Sequence, residues 1–140
     1  MGSRALDELL EDLILETGID NVTFVGANER NGLLRRVEGL GIEVDFVDSD
    51  PKFDNPRDAV FDDIEFNELV VVFNAEKHYP IGRLTEREMI IVGDDDQHNG
   101  DCNPIDSFDK IIEQNSIKEL YSKHKIEKWW IVHGHSVVNS

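Results

Sequence analysis

The sequence predicts an α/β protein, a three-layer fold in which a mostly parallel sheet carries helices on both faces and ends in a C-terminal antiparallel strand or hairpin. Three observations predict it. Segments with helical period alternate with short β-branched runs along the chain. The run Leu69 to Phe73 is apolar on both faces, as a covered central strand requires. The last two apolar segments lie close enough in sequence to pair with each other. A chain of 140 residues is the size of one ordinary domain and can bury a core. No linker, repeat or low-complexity stretch divides residues 1–140, and Met1 to Ser3 are assigned no structural role.

Arg4 to Thr17 has the pattern of an amphipathic helix. Leu6, Leu9, Leu10, Leu13 and Ile14 recur at the spacing of one helical face, and Asp7, Glu8, Glu11 and Asp12 take the other. Gly18 ends it, and Val22 to Val25 follows as a buried strand stopped by Gly26. A second helix is predicted from about Glu29 to Leu40, with Leu33, Leu34, Val37 and Leu40 on its apolar side. Ile42 to Val47 is the second strand, broken by Asp48-Ser49-Asp50-Pro51. Residues 51–67 are predicted as loop, with Ala59-Val60-Phe61 as a short strand candidate. After the central strand at 69–73, Arg83 to Arg87 is expected to be helical and Met89 to Val92 to be a strand ending at Gly93. Ser107 is placed to cap a short helix reaching Gln114. The tail offers Ile117 to Tyr121 and Trp129 to Val132, with Lys123-His124-Lys125 expected in the connection between them.

Composition narrows the functions. No apolar run approaches the roughly 18 residues that cross a bilayer, and no basic segment precedes an apolar one at the start, so neither a membrane span nor a signal peptide is expected. Cys102 is the sole cysteine, which rules out an intrachain disulfide and suits a reducing compartment, with cytoplasm as the expectation. Thirty acidic residues against fourteen basic ones give a formal charge of −16. That field repels phosphate backbones and argues against general nucleic-acid binding. The acids are spread through the chain, which favours solubility as their role. A basic protein partner or a homo-oligomer stays open.

In a parallel sheet, ligands bind beyond the carboxyl ends of the strands. Here each predicted strand is followed at once by polar or glycine-rich residues: Gly26, Ala27 and Asn28; then Asp48 and Asp50; then Asn74, Glu76, His78 and Tyr79; then Gly93, Asp94, Asp95, Asp96 and His98. Parallel strands would gather these four groups at one edge.

Val22 to Gly26, a helix, and a strand ending at Asp48-Ser49-Asp50-Pro51 together resemble the opening half of the class I S-adenosylmethionine-dependent methyltransferase fold, which is Rossmann-like. The resemblance implies a glycine turn, Gly26, that lets the backbone approach the cofactor. It also implies an acid ending the second strand, Asp48, that bonds the ribose hydroxyls. Asp58-Ala59 is similar to the acidic dipeptide before the family's fourth strand. Glu68 to Val72 looks like that strand, and Asn74 to His78 like its active-site loop. The terminal strand pair also fits the topology. The implied cofactor is S-adenosylmethionine, with Gly26, Asn28, Asp48, Asn74 and Asp94 as binding residues. The matched residues proper are Gly26 and Asp48.

Three further groups carry chemistry. Glu76, His78 and Tyr79 place a carboxylate, an imidazole and a phenol just past a buried strand. A histidine titrating near neutrality there is the candidate to take a proton from a methyl acceptor; alternatively these residues only shape a turn. The segment from Gly93 to Pro104 partly resembles a calcium loop when counted from Asp95, with Asn99, Gly100 and Asp106 at the fifth, sixth and twelfth places, but Gln97 stands where an acid is expected. Its Asp, His and Cys residues match no closed zinc site, and closure over the cofactor edge is the preferred role. His133 and His135 share a strand face and would form half a metal site, which two histidines do not complete. Trp129 and Trp130 fit core packing or an association surface. Cys102 has no basic neighbour to activate it. A non-catalytic interaction module is the alternative function, and a metal-dependent enzyme using residues 94–102 the third.

Overall fold

A computed structural model describes residues 4–27, 31–47, 65–73, 75, 80–95 and 105–137. The elements are α1 (Arg4–Thr17), β1 (Asn21–Val25), α2 (Gly32–Gly39), β2 (Glu43–Val47), β3 (Leu69–Val72), a 3₁₀ turn (Ile81–Arg83), β4 (Glu88–Asp94), α3 (Phe108–Gln114), β5 (Ile117–Ile126) and β6 (Trp129–Ser136). The strand candidate at 59–61 lies outside the described residues.

The six strands form one sheet in the order β2-β1-β3-β4-β6-β5. β1 pairs in parallel with β2 and β3, and β3 in parallel with β4. β6 then pairs antiparallel with both β4 and β5. The sheet is therefore mixed rather than mostly parallel. The correction has a simple cause. β6 follows β5 through a tight turn and slots between β5 and β4, so one strand breaks two otherwise codirectional pairings.

Alternation along the strands splits the core between the two sheet faces. Val22 and Phe24 of β1, Leu69 and Val71 of β3, and Ile90 and Val92 of β4 face the apolar sides of α1 and α2. Val25, Val70, Val72, Met89 and Ile91 face the other way, toward Ile81, Ile105 and Ile111. Each buried aliphatic side chain contributes roughly 1.5–3 kcal/mol by leaving water, so these two clusters dominate the favourable side of folding. Arg36 of α2 pairs with Glu11 of α1 at 2.5 Å, which ties the two helices on their shared face. No helix among the described residues is long and apolar enough to cross a membrane.

Local chemistry explains where the sequence reading shifts. α2 starts after Asn31 rather than at Glu29. Asn31 has extended backbone (φ −72°, ψ 123°), and its Oδ1 accepts from the amides of Leu33 and Leu34 at 2.9 and 3.2 Å. The helix expected over 83–87 is absent because Arg87 is already a strand partner. Its amide donates to Ser136 Oγ, and its carbonyl accepts from the Ser136 amide at 3.0 Å. Ser107 does cap α3, accepting from the Lys110 amide at 3.2 Å. Lys123 to Lys125 lie inside β5, not between strands. There Lys123 and Lys125 rest over the rings of Phe108 and Trp130, 5.3 and 4.9 Å from the centroids. The turn falls instead at Glu127 and Lys128, with Glu127 in the left-handed region at φ 52°.

Candidate functional site

β1, β2, β3 and β4 run the same way, so their carboxyl ends meet at one edge of the sheet. Val25 lies beside Val47 of β2 and Val72 of β3 in register. The strand order turns back at this edge. β1 continues through α2 to β2 on one side, and β3 occupies the other. The space between the ends of β1 and β3 is thus a topological switch point, the place where open α/β sheets bind their ligands.

Gly26 stands at that switch point with φ 87°, a conformation that strains any residue carrying a Cβ. Its amide donates to the Val47 carbonyl at 2.8 Å, and the Phe73 amide donates to the Val25 carbonyl at 2.8 Å. These two bonds carry the ladder one residue past the ends of β1 and β3. Ala27, next in the turn, is buried. Because β1 and β2 are parallel, α2 must run back along the sheet, and its capped N-terminus lies toward this same edge.

Asp94 ends β4, three residues beyond the level of Ile91, which is level with Val72. It is not a free ligand group. Its side chain is only 13% exposed and sits 3.4 Å from Lys128 Nζ, at the tip of the β5–β6 hairpin. Asp95 meets Lys125 at 3.5 Å, and its amide donates to the Lys128 carbonyl. The Ile105 amide donates to the Asp94 carbonyl at 3.0 Å, which fixes Ile105 beside the end of β4. Asn28, Asp48, Asn74, Glu76, His78 and Tyr79 lie outside the described residues, as do Cys102 and most of the calcium-like segment. Among the described residues, no group of three or more His, Cys, Asp or Glu side chains is placed to hold a metal.

The two C-terminal histidines have separate partners. His133, buried on β6, meets Glu88 of β4 at 2.6 Å, with the Tyr121 ring edge-on at 5.1 Å. His135 Nδ1 bonds the Ser136 carbonyl at 2.8 Å. Partial desolvation raises the Tyr121 phenol above its ordinary range, and the nearby carboxylates of Glu119 and Glu88 push it the same way. Trp129 and Trp130 begin β6 and pack at the two cores. Trp130 stands edge-on to Phe108 at 4.9 Å.

The sequence reading missed a cavity of about 660 Å³ at the opposite edge, where the parallel strands begin. Glu43, Asp45, Glu65, Glu68, Glu86 and Glu88 supply carboxylates to it, and Arg87 a guanidinium. Arg87 is spent on structure: it donates to the carbonyls of Asn67, Glu86 and Phe66. Asn67 joins this rim to the sheet by bonding the Val22 carbonyl and Asp45. The signal in the sequence was the cluster of acids just ahead of each strand start, which a search of strand ends passes over.

No protein-family model matches the chain, and neither does any curated protein sequence.

Proposed function

We propose that this is an S-adenosylmethionine-binding, methyltransferase-like protein with a Rossmann-like three-layer fold, its cofactor lying at the switch point between β1 and β3. The observation that carries the reading is the reversal of strand order there, with Gly26 at φ 87° beside it. The two cores on opposite sheet faces support the layering, and the inserted antiparallel β6 supports the terminal strand pair of the resemblance. Within this reading Gly26 admits the cofactor, Asp48 holds the ribose hydroxyls, and Asn28, Asn74 and Asp94 border the pocket. The sulfonium cofactor supplies an electrophilic methyl group. The chain's own task is to position the acceptor and remove its proton, a role assigned to His78 with Glu76 and Tyr79 beside it.

Isothermal calorimetry with S-adenosylmethionine and S-adenosylhomocysteine tests this. The wild type should bind both, and Asp48→Ala should weaken binding about tenfold or more, as loss of charge-assisted hydrogen bonds does. Absence of binding by the wild type would sink the reading. It would then favour a non-catalytic module acting by protein contact, for which the six-carboxylate cavity at the far edge is the supporting observation.

A further inference from the structure

The cavity where the parallel strands begin holds two acceptors that the fold orients separately. Glu88 of β4 and His135 of β6 lie directly opposite in antiparallel register, and both line the cavity. Residues so opposed share a sheet face, with Cβ atoms about 5 Å apart. Each is fixed from behind. An ionised carboxylate only accepts, so His133 Nε2 donates to Glu88 Oε2 at 2.6 Å, from a residue that is 7% exposed. A carbonyl also only accepts, so His135 Nδ1 donates to the Ser136 carbonyl at 2.8 Å. That bond leaves the lone pair of the neutral ring on Nε2. Glu88 Oε1 and His135 Nε2 thus remain as acceptors without a hydrogen-bond partner among the described residues.

This pair selects among cations. Two ligands leave a metal's coordination sphere unfilled, and no third His, Cys, Asp or Glu among the described residues is placed to complete it. A guanidinium fork seeks both oxygens of a carboxylate, and His133 already holds Oε2. A quaternary ammonium has no N–H to donate. A primary ammonium has three donors on one atom and can bridge both acceptors. Ile19 and Phe66 on the cavity wall meet its aliphatic stem, and the volume of about 660 Å³ suits a small molecule. Glu43, Asp45, Glu65, Glu68 and Glu86 are exposed at the same cavity, where they concentrate cations without choosing one. We propose that Glu88 and His135 bind the primary ammonium group of an aliphatic amine, with buried His133 as the positioning residue. The site lies at the opposite edge of the sheet from the β1/β3 switch point, and it neither needs nor excludes a cofactor there.

Two-dimensional NMR of the His135 ring and the Glu88 amide tests this, during titration with n-butylammonium, n-butylguanidinium and n-butyltrimethylammonium in about 0.15 M NaCl. The three probes carry the same charge on the same stem. Butylammonium should shift both signals saturably, and the other two should bind at least about fivefold more weakly. Equal affinity for all three would show attraction by the acidic field alone and overturn the proposal, as would no saturable shift. His135→Phe should weaken butylammonium binding about tenfold. Asp12→Asn removes one charge from an exposed position on α1 and should change nothing; an equal loss there would again mean field alone. His133→Gln keeps a donor for Glu88 and should keep the preference for butylammonium. His133→Ala frees Oε2 and should bring butylguanidinium level with it. A folded His133→Ala variant with unchanged preference would overturn the positioning role. Should that variant not fold, the comparison of probes on the wild type still decides the site.

Discussion

Asp7 lies in the first turn of α1, where a negative charge suits the helix dipole by a few tenths of a kcal/mol. Its pKa is nonetheless raised above the ordinary carboxylate range, chiefly by partial burial, with Arg36 pulling the other way. Desolvation therefore outweighs the pull of the nearby positive charge. The folded protein holds this proton more tightly than the unfolded chain. The resulting penalty is absent where both forms are protonated, grows as pH rises through the folded value, and stays constant beyond it. Asp7→Asn should raise Tm at neutral pH and leave it unchanged near about pH 3. Equal shifts at both pH values in scanning calorimetry would show that buried charge is not the cause. Single residues were unequally legible in the sequence. Gly26 could be read because a glycine after a β-branched run has few roles. The partner of Asp94 could not, because Lys128 is remote in sequence and reaches it only once β6 has paired with β4.

Elements with strong local patterns were read nearly to the residue. α1 matched its whole span because five apolar residues fix one face, and β3 because four consecutive apolar residues exclude any exposed face. The β5–β6 hairpin was read as two short pieces, since β5 is largely exposed and its period is broken. The break is physical. β5 carries register shifts between Ile117 and Glu119 and between Leu120 and Ser122. The first brings the β5 backbone hard against β6. A Cβ added at Gly134 would lie 2.5 Å from the Glu119 carbonyl oxygen and 2.7 Å from Ile117 Cγ2. Backbone cannot withdraw as a flexible side chain can. Gly134→Ala should therefore cost about 1–3 kcal/mol in urea denaturation, with faster amide exchange confined first to β5. A variant as stable as the wild type would mean that the bulge relaxes freely.

At the scale of the molecule, charge is less even than the sequence reading held. Twenty-six of the thirty acidic residues precede residue 107, whereas five of the seven lysines follow it. Carboxylates crowd the edge where strands start, and lysines decorate the hairpin beside α3. Self-repulsion among the acids opposes compaction, and salt screens it over a Debye length of about 10 Å at 0.1 M. Raising NaCl from about 10 mM to about 0.5 M should lift Tm by a few degrees. A flat or falling Tm would show that the ion pairs at Asp94, Asp95 and Glu11 outweigh the repulsion. The α/β class was legible because periodicity is local. The strand order was not, because it depends on where β6 inserts. That insertion shapes how the protein is made. Synthesis delivers β5 before β6, yet β6 lies between β5 and β4. Until β6 has emerged, β4 is left as an open edge of unpaired backbone, a template for another chain. The nascent chain thus carries an open β4 edge, in addition to the β2 edge that the finished sheet keeps among the described residues, until its last strand pairs.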